Sequence, residues 1–195
     1  FVKGEPDTGV EMAEDLERIA MNFGGENIAA CIIEPIAGST GTLVPPKGYL
    51  KRIRDICNKH GILLIFDEVI TGWGRTGSAF AAQEWNVTPD IMTMAKATTN
   101  GVVPMGVVAV KEEIYDSVLD ASSAPEGTPE LFHGYTYSGI PVAVAAALAV
   151  QDIFDKEDLI NRAKEMSPYF QDGLHSLKDL KEIVSIRGYG MMGGI

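Results

Sequence analysis

The sequence predicts an α/β fold, a mostly parallel sheet flanked by helices. Three observations carry that expectation. Residues 28–33 and 62–66 are short continuous apolar runs, the pattern of strands buried on both faces. Between them Leu50, Ile53, Ile56 and Cys57 recur at helical spacing, while Lys51, Arg52, Arg54 and Asp55 solvate the opposite face. Strand, helix and strand over this length form a βαβ unit, whose strands are parallel and whose crossover is right-handed.

The elements follow in order. Residues 11–23 place Met12, Leu16, Ile19, Ala20 and Phe23 on one helical face, and Gly24-Gly25 stop it. Glu34-Pro35 end the first strand, and 37–41 is loop. Pro45 and Pro46 open the second helix, which Gly61 is suited to stop. Asp67-Glu68 close the second strand. Apolar segments at 91–95 and 105–110 come next. Residues 141–154 read as an alanine-rich buried helix. Residues 159–177 look helical, with Pro168 expected to kink or split them. Residues 183–186 read as a last strand before a glycine turn.

Composition narrows the function classes. The 195 residues carry a net charge of −11, with 46% hydrophobic and 22% charged residues. That is a globular composition with no basic footprint for nucleic acid or an anionic membrane. The longest apolar run, 140–150, falls well short of the ~18–20 residues of a membrane span. Cys31 and Cys57 make no disulfide framework or zinc cluster and read as small buried hydrophobes, which suits a reducing compartment. His60, His133 and His175 have no metal-ligand spacing. The chain opens on Phe1, without a signal-like segment, and reads as an excerpt of a longer one.

In open α/β sheets ligands gather outside the carboxyl ends of the strands. Glu34, Asp67 and Lys96 fall at or just beyond such ends. Lys96 is the only Lys or Arg between Thr76 and Val110 and follows an apolar segment. Desolvated there, its amine becomes a nucleophile suited to Schiff-base chemistry with a carbonyl. The bland alternative is a snorkelling lysine at a strand end. Asp67 either holds a loop or holds a positive charge on a ligand, and Glu68 beside it faces the other way. Glu34 has no resolved role. In Tyr135-Thr136-Tyr137-Ser138-Gly139, Ser138 or Gly139 suits the N-cap region of the helix that Pro141 opens. Hydroxyls before a helix N-terminus suit an anion such as phosphate, or simply cap it. The glycine-spaced turn Gly72-Trp73-Gly74-Arg75-Thr76-Gly77 matches neither a Walker loop nor a dinucleotide fingerprint.

Together these residues resemble the class III pyridoxal-phosphate aminotransferases. The likeness rests on Glu34-Pro35, Pro46-Lys47-Gly48-Tyr49-Leu50, the run from Phe66-Asp67-Glu68 through Gly77, Pro89-Asp90-Ile91 and Ala95-Lys96. Asn100-Gly101, Pro104-Met105-Gly106 and the 135–139 motif complete it, in order and at matching intervals over nearly the whole chain. The resemblance implies the large domain of a fold-type-I transferase over residues 1–155. Residues 156–195 would be a connecting helix and the start of a small C-terminal domain. An N-terminal part with a phosphate loop and the rest of the small domain would lie outside.

By the same resemblance, the cofactor is pyridoxal 5'-phosphate and no metal is needed. Lys96 is the catalytic lysine that forms the Schiff base with the cofactor. Asp67 lies against the pyridine nitrogen, and Val69 packs on one face of the ring. Thr136, helped by the backbone of Tyr135, reaches the phosphate of the neighbouring subunit's cofactor in a homodimer. The implied reaction moves an amino group from an ω-amino acid or amine donor to a 2-oxo acid such as pyruvate, with ping-pong kinetics, in the cytoplasm. Ile70 stands where ornithine- and GABA-type relatives commonly carry Gln, which favours the ω-amino acid or amine:pyruvate group. Ala97 and Ile140 also depart from the common Gly and His. An ornithine- or GABA-type aminotransferase, a mutase, decarboxylase or racemase on the same scaffold, and a non-catalytic α/β binding module remain the alternatives.

Overall fold

In chain order the elements are β1 (Val2–Lys3), α1 (Glu14–Phe23), β2 (Ala30–Ile33), α2 (Tyr49–His60), β3 (Leu63–Asp67), α3 (Ala81–Glu84) and β4 (Ile91–Met94). They continue with β5 (Val107–Val110), α4 (Glu112–Ala121), α5 (Pro141–Lys156), α6 (Leu159–His175), β6 (Arg187–Tyr189) and β7 (Met192–Gly194). The computed structural model describes residues 2–121 and 133–195.

The main sheet has four strands in the order β2-β3-β4-β5. β2, β3 and β4 run parallel, and β5 returns antiparallel. The expected βαβ unit is β2-α2-β3, with Ala30 opposite Leu63 and Ile33 opposite Phe66. α2 is apolar where predicted: Leu50, Ile53, Ile56 and Cys57 are buried against Leu64 and Phe66 of β3 and Ala13 and Ala20 near α1. Each large side chain so buried contributes about 1.5–3 kcal/mol. Gly61 ends α2 at φ +69, a left-handed position at which a side chain would be strained.

Five expectations are corrected. β2 is not buried on both faces, and Ile32 is 63% exposed. Its burial alternates: Cys31 and Ile33 pack against the core while Ala30 and Ile32 face outward, the pattern of a strand covered on one face. Only part of the expected apolar stripe of the first helix is buried: Ala20 is buried and Leu16 packs against the core, but Met12, Ile19 and Phe23 are exposed, and Ala13 and Glu17 complete the buried face. The two alanines let the backbone approach α2 closely, and Glu17 is held there by Lys59 and His60. In α5 only Ala143 and Ala147 are buried, and Val142, Leu148 and Ile153 face outward. The last strand lies at β6, beyond residues 183–186, where it pairs with β1 on one side and β7 on the other. Its Gly188 lies so close to the Gln171 side chain that no Cβ would fit. Pro168 does not split α6, which continues through it to His175.

Asp90 pins these layers together. Its Oδ2 accepts hydrogen bonds from Arg54 of α2 and from the Leu64 N–H, each at 2.7 Å. Its Oδ1 pairs with Lys111 at 2.7 Å. Burial pushes this carboxyl up, but Lys111, the Leu64 N–H and Arg54 together outweigh it and hold the group below the ordinary aspartate value. Removing it would leave Arg54 buried and unpaired, so Asp90→Ala should destabilise the fold by about 3–5 kcal/mol in urea denaturation. A carboxyl whose folded pKa lies below its unfolded one stabilises fully above the unfolded value, near 3.9. That contribution disappears as pH falls through the folded value. An acid titration of stability should therefore lose part of its slope below about pH 4 in Asp90→Asn.

Candidate functional site

The parallel strands deliver their carboxyl ends to one edge of the sheet. Glu34 follows β2, Asp67 ends β3, and Lys96 lies two residues beyond β4. β5 runs the other way, so the Pro104-Met105-Gly106 segment before it arrives at the same edge. Asp67 is paired with Thr93, three residues before Lys96. Asp67 and Lys96, separate in sequence, are thereby brought to adjacent strand ends.

The two groups share a second property. None of the ion pairs among the described residues uses either of them. Asp67 is half-buried, and its Oδ1 accepts the Val69 N–H at 3.0 Å. Lys96 is exposed rather than desolvated, contrary to the sequence expectation, because the turn after β4 lifts it beyond the sheet. That turn, the 3-10 segment Lys96–Thr98, holds Lys96 at φ +47, with Asn100 at +50 and Gly101 at +75. The Lys96 carbonyl accepts the N–H groups of Thr99 and Gly101, each at 3.3 Å. A non-glycine residue in this region costs about 1–3 kcal/mol and persists where surrounding structure enforces it, most often at functional sites.

Val69, Thr93 and Ala95 line a cleft of about 540 Å3, closed on the far side by Met105, Tyr135 and Ile140. Val69 is half-buried, and Tyr135 is exposed on the cleft rim. Thr136 is exposed and is not part of this wall. Ser138 does not cap α5. Its hydroxyl accepts the Tyr135 N–H at 2.9 Å, and α5 begins after Ile140 without a side-chain cap. A second concavity of about 390 Å3 lies beside Pro89 and Ile91, but its charged members Asp90 and Lys111 already pair with each other.

Neighbouring acids are structural. Glu68 faces away from Asp67, fully buried, and accepts the Thr71 hydroxyl at 2.7 Å and the N–H groups of Ala81 and Ala82 at 2.9 and 2.8 Å. Burial pushes its carboxyl up, with those three bonds pulling the other way. Glu34 accepts the Gly38 N–H at 3.0 Å, which ties the loop after β2. Against the same loop Ile70 packs so closely on Gly38 that a Cβ there would stand 2.8 Å from the Ile70 Cδ1.

Sequence reasoning missed the contribution of the glycine-spaced turn. Trp73, at φ +61, sends its indole N–H to the Thr98 hydroxyl at 3.0 Å. Arg75 donates to the Ile70 carbonyl at 2.7 Å, and burial draws its guanidinium down. The one signal available was a tryptophan inside a glycine run, with two threonines just past the lysine.

Comparisons with known proteins agree with this geometry. The family model for Aminotransferase class-III matches residues 2–195. The chain is 53% identical over 193 residues to an omega-aminotransferase of Caulobacter vibrioides, covering 99% of this chain and 43% of that protein. It is 48% identical over 196 residues to an omega-amino acid–pyruvate aminotransferase of Pseudomonas putida, covering 100% of this chain and 43% of that protein. Among solved structures, an (S)-enantioselective omega-transaminase of Thermomicrobium roseum superposes with a TM-score of 0.87 at 42% identity, over 94% of this chain and 40% of that one. The chain thus spans less than half the length of these relatives. A sheet edge that gathers an unpaired carboxylate and an unpaired amine, and a family match running from residue 2 to residue 195, lead to one assignment: the chain belongs to the class III aminotransferases.

Proposed function

We propose that the full-length protein is a pyridoxal 5'-phosphate-dependent aminotransferase. It moves an amino group from an ω-amino acid or amine donor to a 2-oxo acid such as pyruvate. The observation that carries this reading is the pair Asp67 and Lys96, set at adjacent strand ends and free of ion pairs among the described residues, with their chain neighbours Val69 and Ala95 lining the cleft. A cationic ring nitrogen at one end and an aldehyde at the other would satisfy both groups at once. When bound, the cofactor supplies the electron sink that stabilises a carbanion at the substrate carbon. Lys96 would hold the cofactor through its aldehyde and, as a free amine, would move the proton at the substrate carbon. Asp67 would lie against the ring nitrogen and favour a proton there. Val69 provides an apolar wall for the ring. Thr136, whose side chain is exposed, would serve the phosphate of the partner subunit's cofactor, with the Tyr135 backbone beside it once its N–H gives up the Ser138 hydroxyl. Kinetics should be ping-pong.

The homodimer and the division at residues 155 and 156 belong to the same proposal, as does a cytoplasmic compartment, which the free Cys31 and Cys57 suit. No helix among the described residues is long and apolar enough to cross a membrane.

Borohydride treatment of the cofactor-loaded full-length protein should fix a phosphopyridoxyl group on Lys96, identified by peptide mass. Lys96→Ala should remove the label and lower transfer from β-alanine to pyruvate by at least ~10²–10⁴-fold. Label retained by that variant would reject the assignment. Asp67→Asn should keep the label while lowering kcat by roughly 10²-fold or more. Net amine transfer to pyruvate also separates this reading from a mutase, which leaves no exchange. The 195 residues alone should bind the cofactor weakly and show no turnover, and measurable transfer by them would contradict the shared-site arrangement.

A further inference from the structure

We infer that Trp73 and Thr98 form a hydrogen-bond relay that fixes the peptide preceding Lys96, and that both are positioning residues for its amine. This rests on the reading of Lys96 as the cofactor-bearing lysine.

The relay begins with what each group can do. An indole N–H donates and cannot accept. The Trp73 Nε1 stands 3.0 Å from the Thr98 Oγ1, so this hydroxyl must be the acceptor there. Its own proton is then directed elsewhere, and the Ala95 carbonyl lies 3.0 Å away. The same carbonyl takes the Thr98 backbone N–H, also at 3.0 Å. Two donors from one residue thus fix the plane of the peptide that joins Ala95 to Lys96. At that joint the chain changes from extended backbone at Ala95 to φ +47 at Lys96. The bend that presents Lys96 is the bend the relay holds.

Trp73 is itself well anchored. Its backbone N–H donates to the Ala79 carbonyl at 2.6 Å. Its ring meets Phe80 edge-on at 5.3 Å and Phe154 of α5 at 6.0 Å. Thr98 is only 2% exposed, so water cannot readily replace a lost partner. Beyond it Thr99 closes the turn by donating its hydroxyl to the Val103 carbonyl at 2.5 Å. The glycine-spaced turn, which the sequence left without a role, thereby becomes the support of the lysine turn. A loosened bend would let the amine wander, and misplacement by ~1 Å can cost 10²-fold in rate.

Three variants of the full-length protein test the relay: Thr98→Val, which keeps the shape and loses the hydroxyl; Thr98→Ser, which keeps the hydroxyl; and Trp73→Phe, which keeps a ring and loses the N–H. In the cofactor-free protein, Thr98→Val and Trp73→Phe should speed amide exchange in the peptide covering residues 95–101 by roughly 10-fold or more. In the loaded protein the same two should lower kcat by roughly 10- to 100-fold with the amine KM held within about threefold. Thr98→Ser should stay near the parent on both measures. Unchanged exchange at 95–101 in folded Thr98→Val and Trp73→Phe would overturn the relay. So would a lower Tm with kcat intact, or Thr98→Ser behaving as Thr98→Val. If Thr98→Val fails to fold, Trp73→Phe carries the test, since it leaves the Thr98 hydroxyl on Ala95. Absence of the borohydride label from Lys96 in the parent would instead refute the function reading, and the exchange data still judge the relay.

Discussion

The parallel ladder between β3 and β4 is the constraint on which the site depends. Adjacent strands lie about 4.8 Å apart. Because these two run the same way, their carboxyl ends coincide, and Asp67 stands opposite Thr93. Three more residues bring the chain to Lys96. A slip of one residue would exchange the faces of Asp67 and Glu68 and take Glu68 away from the Ala81 and Ala82 N–H groups at the start of α3. The alternation of the strand therefore decides which of two adjacent acids is taken up by α3.

The acids of this region show how surroundings assign roles to like groups. Glu68 and Asp90 are buried, and each is surrounded by donors: a hydroxyl and two backbone N–H groups for the first, Arg54, Lys111 and a backbone N–H for the second. Their acceptor capacity is used within the fold, and they hold α3, α2 and β3 in register. Asp67 is only half-buried and takes a single backbone N–H. An ionised carboxylate has room for several more donors. That surplus, which Glu68 and Asp90 lack, leaves Asp67 able to accept donors from outside its own strand.

The turn at Lys96 and the turn at Trp73 also belong together. Both hold a non-glycine residue at positive φ, and one hydroxyl connects them. Strain in two loops is maintained by a shared, dry contact, which is how local backbone cost is sustained at a working site. The contact between Trp73 and Phe154 extends this support to α5, whose beginning follows Tyr135 and Thr136. Segments distant in sequence thus brace a single edge.

Much of this was legible beforehand. Periodicity located α2 and its buried face, and the run of branched residues located β3, because both elements contact the core through patterns of 3.6 and 2 residues. The ends of those elements placed Glu34, Asp67 and Lys96, and the motif set named the family. Periodicity was a poorer guide to α1 and α5. An apolar stripe says that a face favours burial, whereas alanine size and a buried Glu17 decided which face of α1 meets α2. The hairpin β6-β7 left little trace, since its glycines carry no side-chain alternation. Nor could sequence show that Lys96 is exposed or that Trp73 reaches Thr98. The sequence by itself determined which residues could carry the chemistry and on which strand ends they fall, because local patterns encode element type and length. Only the tertiary structure decided which acid lacks an ion pair among the described residues and which tryptophan bonds the turn after Lys96, because hydrogen-bond partners are chosen by spatial neighbours across 25 residues of chain, as from Trp73 to Thr98.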